Sequence, residues 1–318
     1  MGNNLVDKSH ASFPLILLAA SIVFSTLACI GCDRQESAPP ISLKQEIVVP
    51  ETVRDDLDGD GIKIAVAAMI SPKETFHSYK KLLNFISEQL GRPVQLIQRK
   101  TYQEVNDLLQ DERIDAGFIC TGAYVAGHDE FGMELLVAPV VNGATVYHAY
   151  IIVNRDSDIN ELADLQNKVF AFTDPLSNTG KAAPTDMLAR IGTTPEIFFS
   201  ETIFTYSHDN SIKAVAHSVV DGAAVDSLVW EYLDRTSPGD TSLTRIIAKS
   251  EPYGIPPVVI AKGINSSLRK ELLAVFLNIH KDPVGKELLN DIMIERFVEV
   301  SDSIYDSVRK MNRDKTGK

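Results

Sequence analysis

The chain has 318 residues, 44% of them hydrophobic, which is enough for two packed domains. It carries 31 lysines and arginines against 43 aspartates and glutamates, a net charge of −12. This negative net charge, together with mixed charges and no basic cluster, argues against binding to nucleic acid or to anionic lipid surfaces.

Residues 1–32 have the pattern of a targeting segment. Lys8 and His10 precede an uninterrupted run of apolar and small residues that is short for a membrane span. Cys29 and Cys32 follow it, each behind a small residue, and this resembles a bacterial lipoprotein signal, in which the cysteine becomes the lipidated first residue. Cys32 is the favoured site because a polar stretch starts directly after it. A retained helix anchor is the alternative.

Residues 33–60 are predicted to be a flexible tether, since they are polar, contain several prolines and show no helical or alternating period. Asp56, Asp58 and Asp60 imitate the start of a calcium-binding loop. The acidic ligand expected at the twelfth position of such a loop would be Ala67. We therefore interpret these aspartates as part of an acidic linker.

Strands and helices alternate from residue 62 onward. In the first part, strands are predicted at 62–68, 94–97, 116–120, 135–141 and 147–153, with helices at 75–90, at 102–109 and from near 121. In the second part, strands are predicted at 169–172, 203–206, 223–225 and 258–261, and helices from near 179 and at 210–219, 227–233, 266–280, 283–293 and 301–311. This alternation predicts an α/β fold with mostly parallel sheets flanked by helices.

Two crossings of the chain, near residues 150 and 252, predict a two-lobed clamshell. One lobe would combine 61–150 with 252–318, and the other would comprise 151–251. Ligands of such open sheets bind at the carboxyl ends of the strands. Cys120, the only cysteine after the targeting segment, ends an apolar strand and is predicted to be a buried, unreactive thiol.

A turn after the strand at 169–172 joins Ser177, Asn178, Thr179 and Gly180 at the start of a helix. A helix start leaves backbone N–H groups without partners and carries partial positive charge, so short donor side chains there suit an oxyanion. An ordinary capped helix start is the alternative.

This turn, together with TYSHDNSIKAV at 205–215 and AAVDS at 223–227, resembles the phosphate/phosphite/phosphonate-binding family of ABC-importer substrate-binding proteins. The resemblance covers about residues 62–292 and implies a clamshell of the periplasmic-binding-protein type. Asn178 and Lys181 depart from the family's pattern in the turn, and Lys181 adds a charge there. The resemblance implies ligand contacts by Tyr124, Ser177, Asn178, Thr179, His208 and Asp226. Thr121 is a further candidate, in a place where the family usually has a glycine-proline pair.

Physical roles follow for these candidates. Ser177, Asn178 and Thr179 would hold anion oxygens, and His208 would donate another hydrogen bond and could add charge as a cation. Asp226 would be favourable beside an anion only if the ligand keeps a proton to donate to it, as phosphorus oxyanions do near neutral pH and sulfate does not.

Simpler roles compete for three of the same residues. Tyr124 could pack on its sheet, His208 and Asp209 could cap a helix starting at Asn210, and Asp226 could cap the following helix.

The sequence thus predicts a lipid-anchored, monomeric binding protein that captures a phosphorus oxyanion and delivers it to an ABC permease, with no cofactor. A ligand-sensing lipoprotein that feeds a membrane kinase, or a binder of a different small anion, is the alternative. An enzyme with a Ser-His-Asp set is disfavoured, because the sequence has neither a G-x-S-x-G elbow nor a cluster of metal ligands.

Overall fold

A computed structural model describes residues 61–316, apart from the side chains of 72–78 and 314–316. The predicted targeting segment with Cys29 and Cys32, and the predicted tether with its aspartates, lie outside the described residues. None of the helices within 61–316 is long and apolar enough to cross a membrane.

The described chain alternates between strands and helices. The strands are β1 (Ile62–Val66), β2 (Val94–Gln98), β3 (Ala116–Phe118), β4 (Glu134–Val140), β5 (Val146–Tyr147), β6 (Ala149–Asn154), β7 (Val169–Phe172), β8 (Glu201–Phe204), β9 (Gly222–Asp226), β10 (Thr244–Lys249), β11 (Tyr253–Gly254), β12 (Val258–Ile260) and β13 (Arg296–Val298). The α-helices are α1 (Pro72–Leu90), α2 (Tyr102–Gln110), α3 (Thr121–Phe131), α4 (Ala183–Arg190), α5 (Pro195–Phe198), α6 (His208–Ala216), α7 (Ser227–Thr236), α8 (Ser266–Asn278), α9 (Pro283–Asp291) and α10 (Asp306–Thr316).

The strands form two main sheets. The first has the order β13-β4-β12-β3-β1-β2 and the second has the order β10-β6-β9-β7-β8, while β5 and β11 make a separate two-stranded sheet. We call the elements of the six-stranded sheet and its helices the first half, and those of the five-stranded sheet and its helices the second half. The first half holds one core cluster, whereas the second half buries a separate cluster on each face of its sheet.

Both sheets are mixed, so the prediction of mostly parallel sheets is wrong in this respect. Parallel pairing joins β1 to β2 and β3, and β7 to β8 and β9. Antiparallel pairing joins β12 to β3 and β4, β13 to β4, and β6 to β9 and β10. β6 and β12 each enter a sheet from the other half of the chain and run opposite to the parallel strands of that sheet. β13 adds an antiparallel pair with β4 at the edge of the six-stranded sheet.

Most of the predicted ends of helices and strands lie within a few residues of the ends in the structure, because local sequence signals mark them. α1 begins at Pro72, earlier than the predicted residue 75, because proline has a helical φ and lacks the N–H that a first turn leaves unpaired. Gly91 ends this helix in the left-handed conformation with φ 62°. Leu82, Leu83 and Ile86 of the predicted apolar face are buried.

Two features of the second half differ from prediction. The strand predicted at 147–153 is two strands, β5 and β6, which belong to different sheets. Tyr147 pairs with β11, and the ladder is interrupted at His148, whose N–H donates to Ser227 Oγ at 3.1 Å. The edge strand β10 was not predicted. Its side chains are mostly half-buried or exposed, so they give no clear apolar run.

Candidate functional site

The carboxyl ends of strands from both halves meet at one place. Three hydrogen bonds from main-chain N–H groups join the halves there, and they run from His208 N to Met69 O at 3.0 Å, from Ser71 N to Asp209 Oδ1 at 2.8 Å, and from Tyr102 N to Asp174 Oδ2 at 3.1 Å. A Lys100 ammonium also lies 5.1 Å from the ring centroid of Tyr206. The two halves are therefore in direct contact around the strand ends that the sequence marked as a ligand site.

The turn after β7 presents more polar atoms than a helix cap requires. Ser177 Oγ accepts from the N–H of Gly180 at 2.9 Å and so caps a π-helical turn, Asn178–Ala182, that leads into α4. Asn178 Oδ1 and Thr179 Oγ1 are buried and have no hydrogen-bond partner in the protein. A buried polar atom without a partner costs about 1–3 kcal/mol. The capped helix start is thus present, but it does not account for these two side chains.

Two glycines let the backbone close around this turn. A Cβ at Gly180 would lie 2.4 Å from Thr173 Oγ1, and a Cβ at Gly122, in the first turn of α3, would lie 2.2 Å from the main-chain oxygen of Leu176. A real Cβ atom does not lie this close to another heavy atom, and at Gly122 the atom it would meet belongs to the backbone. The first turn of α3 and the Ser177 turn can therefore approach this closely only because residue 122 is glycine.

His208 is held as a neutral hydrogen-bond donor. Its Nδ1 accepts from the N–H of Asp226 at 3.1 Å, so the ring proton of the neutral form is on Nε2. Nε2 is buried and has no partner in the protein. Burial lowers the pKa of His208 to about 3, so the cationic form considered from the sequence is disfavoured in this arrangement.

The capping role considered for His208 and Asp209 is wrong. The helix α6 begins at His208 rather than Asn210. Its N-cap residue is Ser207, whose side chain makes no capping hydrogen bond. Asp209 instead accepts from the N–H of Ser71 in the first half.

Asp226 caps a helix and is also buried beside His208. Its Oδ1 accepts from the N–H of Leu228 at 2.8 Å, which confirms the capping role considered from the sequence. Burial raises the pKa of Asp226 to about 7, so the carboxyl can hold a proton near neutral pH. A carboxyl in this state can donate to an anion or accept from a protonated one.

Two hydroxyls that the sequence analysis did not choose join the set. Tyr102 Oη and Ser207 Oγ are buried without a partner. Tyr102 begins α2 shortly after the end of β2, and Ser207 lies shortly after the end of β8, so position after a strand was the signal that could have found both.

Tyr147 is a third residue that the sequence analysis did not choose, and its hydroxyl, unlike the other two, has a partner, since it accepts from Nδ2 of Asn178 at 3.2 Å. If the Asn178 amide were rotated by 180°, its oxygen would face Tyr147 and Nδ2 would take the place without a protein partner, as a further free donor.

The structure does not bring Tyr124 and Thr121 into this set as free donors. The hydroxyl of Tyr124 donates to Asp302 at 2.6 Å, and its ring centroid lies 4.7 Å from that of Tyr305, so the ring packs on another aromatic residue outside the strands. Thr121 Oγ1 donates to the main-chain oxygen of Gly254 at 2.7 Å. The ligand contacts predicted for these two residues remain predictions.

Lys181, which departs from the family pattern, is engaged elsewhere. Its ammonium lies 3.8 Å from the ring centroid of Phe172 and 5.8 Å from that of Phe204. Cation–π contacts with these rings stabilise the ammonium of Lys181. Lys181 is therefore not counted among the residues of the anion site.

The arrangement is suited to a small anion. The donors that lack protein partners are neutral, they come from both halves, and several stand at the starts of helices, where the main chain also favours negative charge. Within residues 61–316, no group of three or more His, Cys, Asp or Glu side chains is placed to hold a metal ion. Cys120 is buried beside the site, and burial raises the pKa of its thiol to about 11, as expected for an unreactive cysteine.

Two α/β halves that meet at their strand ends around neutral anion donors define a two-lobed substrate-binding protein of the kind that serves ABC importers. The sequence pattern of one such family, described as "ABC transporter, phosphonate, periplasmic substrate-binding protein", matches residues 64–305. The chain belongs to this family.

Relatives and solved structures agree with this assignment. The phosphate-import protein PhnD of Mycolicibacterium smegmatis is 28% identical over 233 residues, 70% of this chain and 68% of that protein. The phosphonates-binding periplasmic protein of Escherichia coli is 26% identical over 174 residues, 54% of this chain and 51% of that protein.

Two solved structures share the fold. A binding component of an ABC phosphonate transporter from Pseudomonas aeruginosa has a TM-score of 0.76 at 23% identity, covering 80% of this chain and 86% of that one. PhnD1 from Prochlorococcus marinus, in complex with methylphosphonate, has a TM-score of 0.74 at 19% identity, covering 80% and 98%.

Proposed function

We propose that this protein captures a phosphorus oxyanion between its two halves and delivers it to an ABC permease. The observation that carries the proposal is a set of buried polar atoms without protein partners, on Asn178 and Thr179 of the turn, on Ser207 and His208, and on Tyr102 of the first half. The relatives named for phosphate import and phosphonate binding, and the structural neighbour bound to methylphosphonate, support the same ligand class. Membership of a transport family favours delivery to a permease over signalling to a kinase.

Each donor has a role in holding the ligand. The side chains of Ser177, Asn178 and Thr179 would bind oxygens of the anion at the start of the helix, and His208 would donate from Nε2. Tyr102 would donate from the first half. An anion bound by donors of both halves links them, so ligand binding stabilises the closed arrangement. In this proposal the halves correspond to the predicted lobes, 61–150 with 252–318 and 151–251, except that the second half already begins with β6 at Ala149.

Asp226 would set the protonation state of the complex. With a pKa raised to about 7, it can share one proton with the ligand, held on the carboxyl or on the oxyanion. Removing that proton places two negative charges side by side in a buried site, which is unfavourable. Binding is therefore expected to weaken as the pH rises above about 7, where the shared proton is lost.

The experiment that tests the proposal removes one donor of the turn. Thr179→Ala is expected to weaken binding of phosphate and methylphosphonate by about 1–3 kcal/mol, the range for a hydrogen bond to a charged partner. Calorimetric titration measures the change. Thr185→Ala is the matched control, because Thr185 Oγ1 donates to Lys181 O at 2.7 Å within the following helix. Equal affinities of wild type and Thr179→Ala would leave the turn as a helix cap alone.

We further propose that the mature protein is a lipoprotein on the extracytoplasmic face of the membrane, anchored through Cys32 or Cys29. The lipoprotein-like segment before these cysteines supports this, and so does membership of a periplasmic protein family. Mass spectrometry of the protein purified from membranes is expected to show a lipid-modified cysteine at its N-terminus. An unmodified N-terminus downstream of Cys32 would contradict the anchor and leave the ligand site unaffected.

A further inference from the structure

One buried carboxylate of the second half, that of Asp174, accepts hydrogen bonds from both halves at once. Its Oδ1 accepts from the N–H of Leu176 at 2.8 Å, in the segment that leads into the Ser177 turn. Its Oδ2 accepts from the N–H of Tyr102 at 3.1 Å, in the first half. Asp174 is only 1% exposed, so both bonds are shielded from water in this arrangement of the halves.

The bond to Tyr102 completes the start of a helix in the first half. Tyr102 is the first residue of α2, and the first N–H groups of a helix have no partner within it. The N-cap residue Thr101 accepts from the N–H of Glu104 at 3.2 Å, and Asp174 accepts from the N–H of Tyr102. A negative charge at a helix start is also favourable. Separation of the halves would break this bond and leave the N–H of Tyr102 to water.

Tyr102 also carries one of the free donors of the anion site. Its hydroxyl is buried and has no partner in the protein. Burial, followed by the nearby Cys120, Asp174 and Asp226, raises the pKa of this hydroxyl well above its ordinary value, so it keeps its proton and can donate. The hydroxyl of Tyr102 is therefore close enough to Asp226 to interact with its charge, while the N–H of the same residue is fixed to Asp174.

Within the second half, Asp174 holds the backbone that precedes the donors of the turn. Besides the bond from Leu176 to its side chain, its main-chain oxygen accepts from the N–H of Ser177 at 2.9 Å. An aspartate that accepts from the N–H two residues later fixes a local turn. Asn178 and Thr179, whose side chains carry free polar atoms, follow directly. Asp174 thus acts on the donors of both halves through their main chain.

We propose that Asp174 is a positioning residue, which places the hydroxyl of Tyr102 on the anion held by the Ser177 turn when the two halves close. This inference rests on the proposed function. Both carboxylate oxygens are needed, one for each half, because each accepts from a different N–H group. Charge alone predicts the opposite effect, since a carboxylate near a bound anion repels it. The sign of the change on neutralising Asp174 therefore distinguishes position from charge.

Asp174→Asn is the first variant, because asparagine has nearly the same shape but only one acceptor oxygen. It can accept from the N–H of Leu176 or from that of Tyr102, but not from both. Calorimetric titration is expected to show binding of methylphosphonate and of phosphate weakened about tenfold or more, the effect of losing one hydrogen bond to a charged partner. Asp221→Asn is the matched control and is expected to bind like the wild type. Asp221 accepts from the N–H of Val169, at the opposite end of β7 from Asp174.

A double-mutant cycle with Tyr102→Phe separates positioning from a general loss of stability. Tyr102→Phe keeps the N–H and removes the hydroxyl, so in the wild-type background it is expected to weaken methylphosphonate binding about tenfold. In the Asp174→Asn background the same change is expected to cost less than about twofold, because the hydroxyl no longer reaches the ligand. A merely structural role of Asp174 would leave the effect of Tyr102→Phe equal in both backgrounds.

A second variant keeps the test decisive if Asp174→Asn does not fold. A serine hydroxyl can still accept from the N–H two residues later, but it is too short to reach Tyr102 as well. Asp174→Ser is therefore expected to give the same weakening of binding and the same cycle with Tyr102→Phe.

The outcomes separate this inference from the proposed function. Unchanged or tighter binding in Asp174→Asn, or an equal effect of Tyr102→Phe in both backgrounds, would overturn the positioning role and leave the proposed function standing. Failure of the wild-type protein to bind either methylphosphonate or phosphate would contradict the proposed function, and this inference with it.

Discussion

Gly122→Ala is expected to weaken phosphonate binding about a hundredfold while the protein stays folded. A Cβ at this position would lie 2.2 Å from the main-chain oxygen of Leu176 and 3.0 Å from the main-chain nitrogen of Asn178. Backbone atoms cannot move aside as a flexible side chain can, so the first turn of α3 and the Ser177 turn must separate. The donors of the two halves then cannot reach one ligand together. Losing two hydrogen bonds to a charged ligand costs about 3 kcal/mol or more.

Calorimetry gives the affinity, and small-angle X-ray scattering gives the compactness of the protein at saturating methylphosphonate. The variant is expected to remain more expanded than the wild type under those conditions. Gly239→Ala is the matched control, because a Cβ at Gly239 meets nothing within 4 Å. If Gly122→Ala binds like the wild type and reaches the same compactness, close approach of these two turns is not required for binding.

The second large effect is on the pH dependence of stability, and Asp226 and His208 act in opposite directions. Asp226 has an ordinary pKa of 3.8 and a folded value of about 7. Between these values the unfolded chain loses the proton and the folded chain keeps it, so Asp226 lowers the free energy of unfolding as the pH rises. The full difference corresponds to about 4 kcal/mol.

His208 gives the opposite slope. Its ordinary pKa is 6.5 and its folded value is about 3. The unfolded chain therefore takes up the proton first as the pH falls, and stability is lost from about pH 6.5 downward. Between about pH 4 and pH 6.5 the two slopes oppose each other, each at about 1.4 kcal/mol per pH unit.

Single substitutions are expected to expose each slope in ligand-free protein. Asp226→Asn keeps an acceptor for the helix cap, and relative to wild type its free energy of unfolding should rise with pH between about pH 4 and pH 7. His208→Asn keeps an acceptor for the N–H of Asp226, and its relative free energy should fall with pH between about pH 3 and pH 6.5. Urea denaturation across pH measures both, and taking differences from the wild type removes the other titrating groups. Parallel pH profiles for wild type and both variants would show that neither group is titrated as described.

The sequence predicted most elements because their signals are local. Gly91 ends a helix through its own left-handed backbone, and the run 169–172 is apolar enough to mark a buried strand. The central turn was found in the same way, since Ser177, Asn178 and Thr179 are adjacent in the chain. The antiparallel strands were not predicted, because pairing of β12 with β3 and β4 depends on how the chain returns from the second half.

The sequence predicted the site residues that are adjacent in the chain and missed those that come together only in the folded protein. Tyr102 belongs to the first half and reaches the site through the hydrogen bond from its N–H to Asp174 of the second half. Tyr124 resembled a ligand residue by position in the sequence, but its hydroxyl lies against Asp302, a partner far along the chain that no local pattern indicates.

Calorimetric titration of the wild-type protein with methylphosphonate, phosphate and sulfate at about pH 7 and about pH 8 tests the central claim most directly. The account predicts binding of the phosphorus oxyanions. Sulfate brings no proton and depends on the one held by Asp226, whose pKa is about 7, so at about pH 8 it is expected to bind about tenfold more weakly than phosphate, which keeps a proton. In Asp226→Asn, where an amide can donate to a fully deprotonated oxygen, the discrimination should shrink. Sulfate binding as tight as that of phosphate at the higher pH, or no binding of either phosphorus oxyanion, would contradict the account.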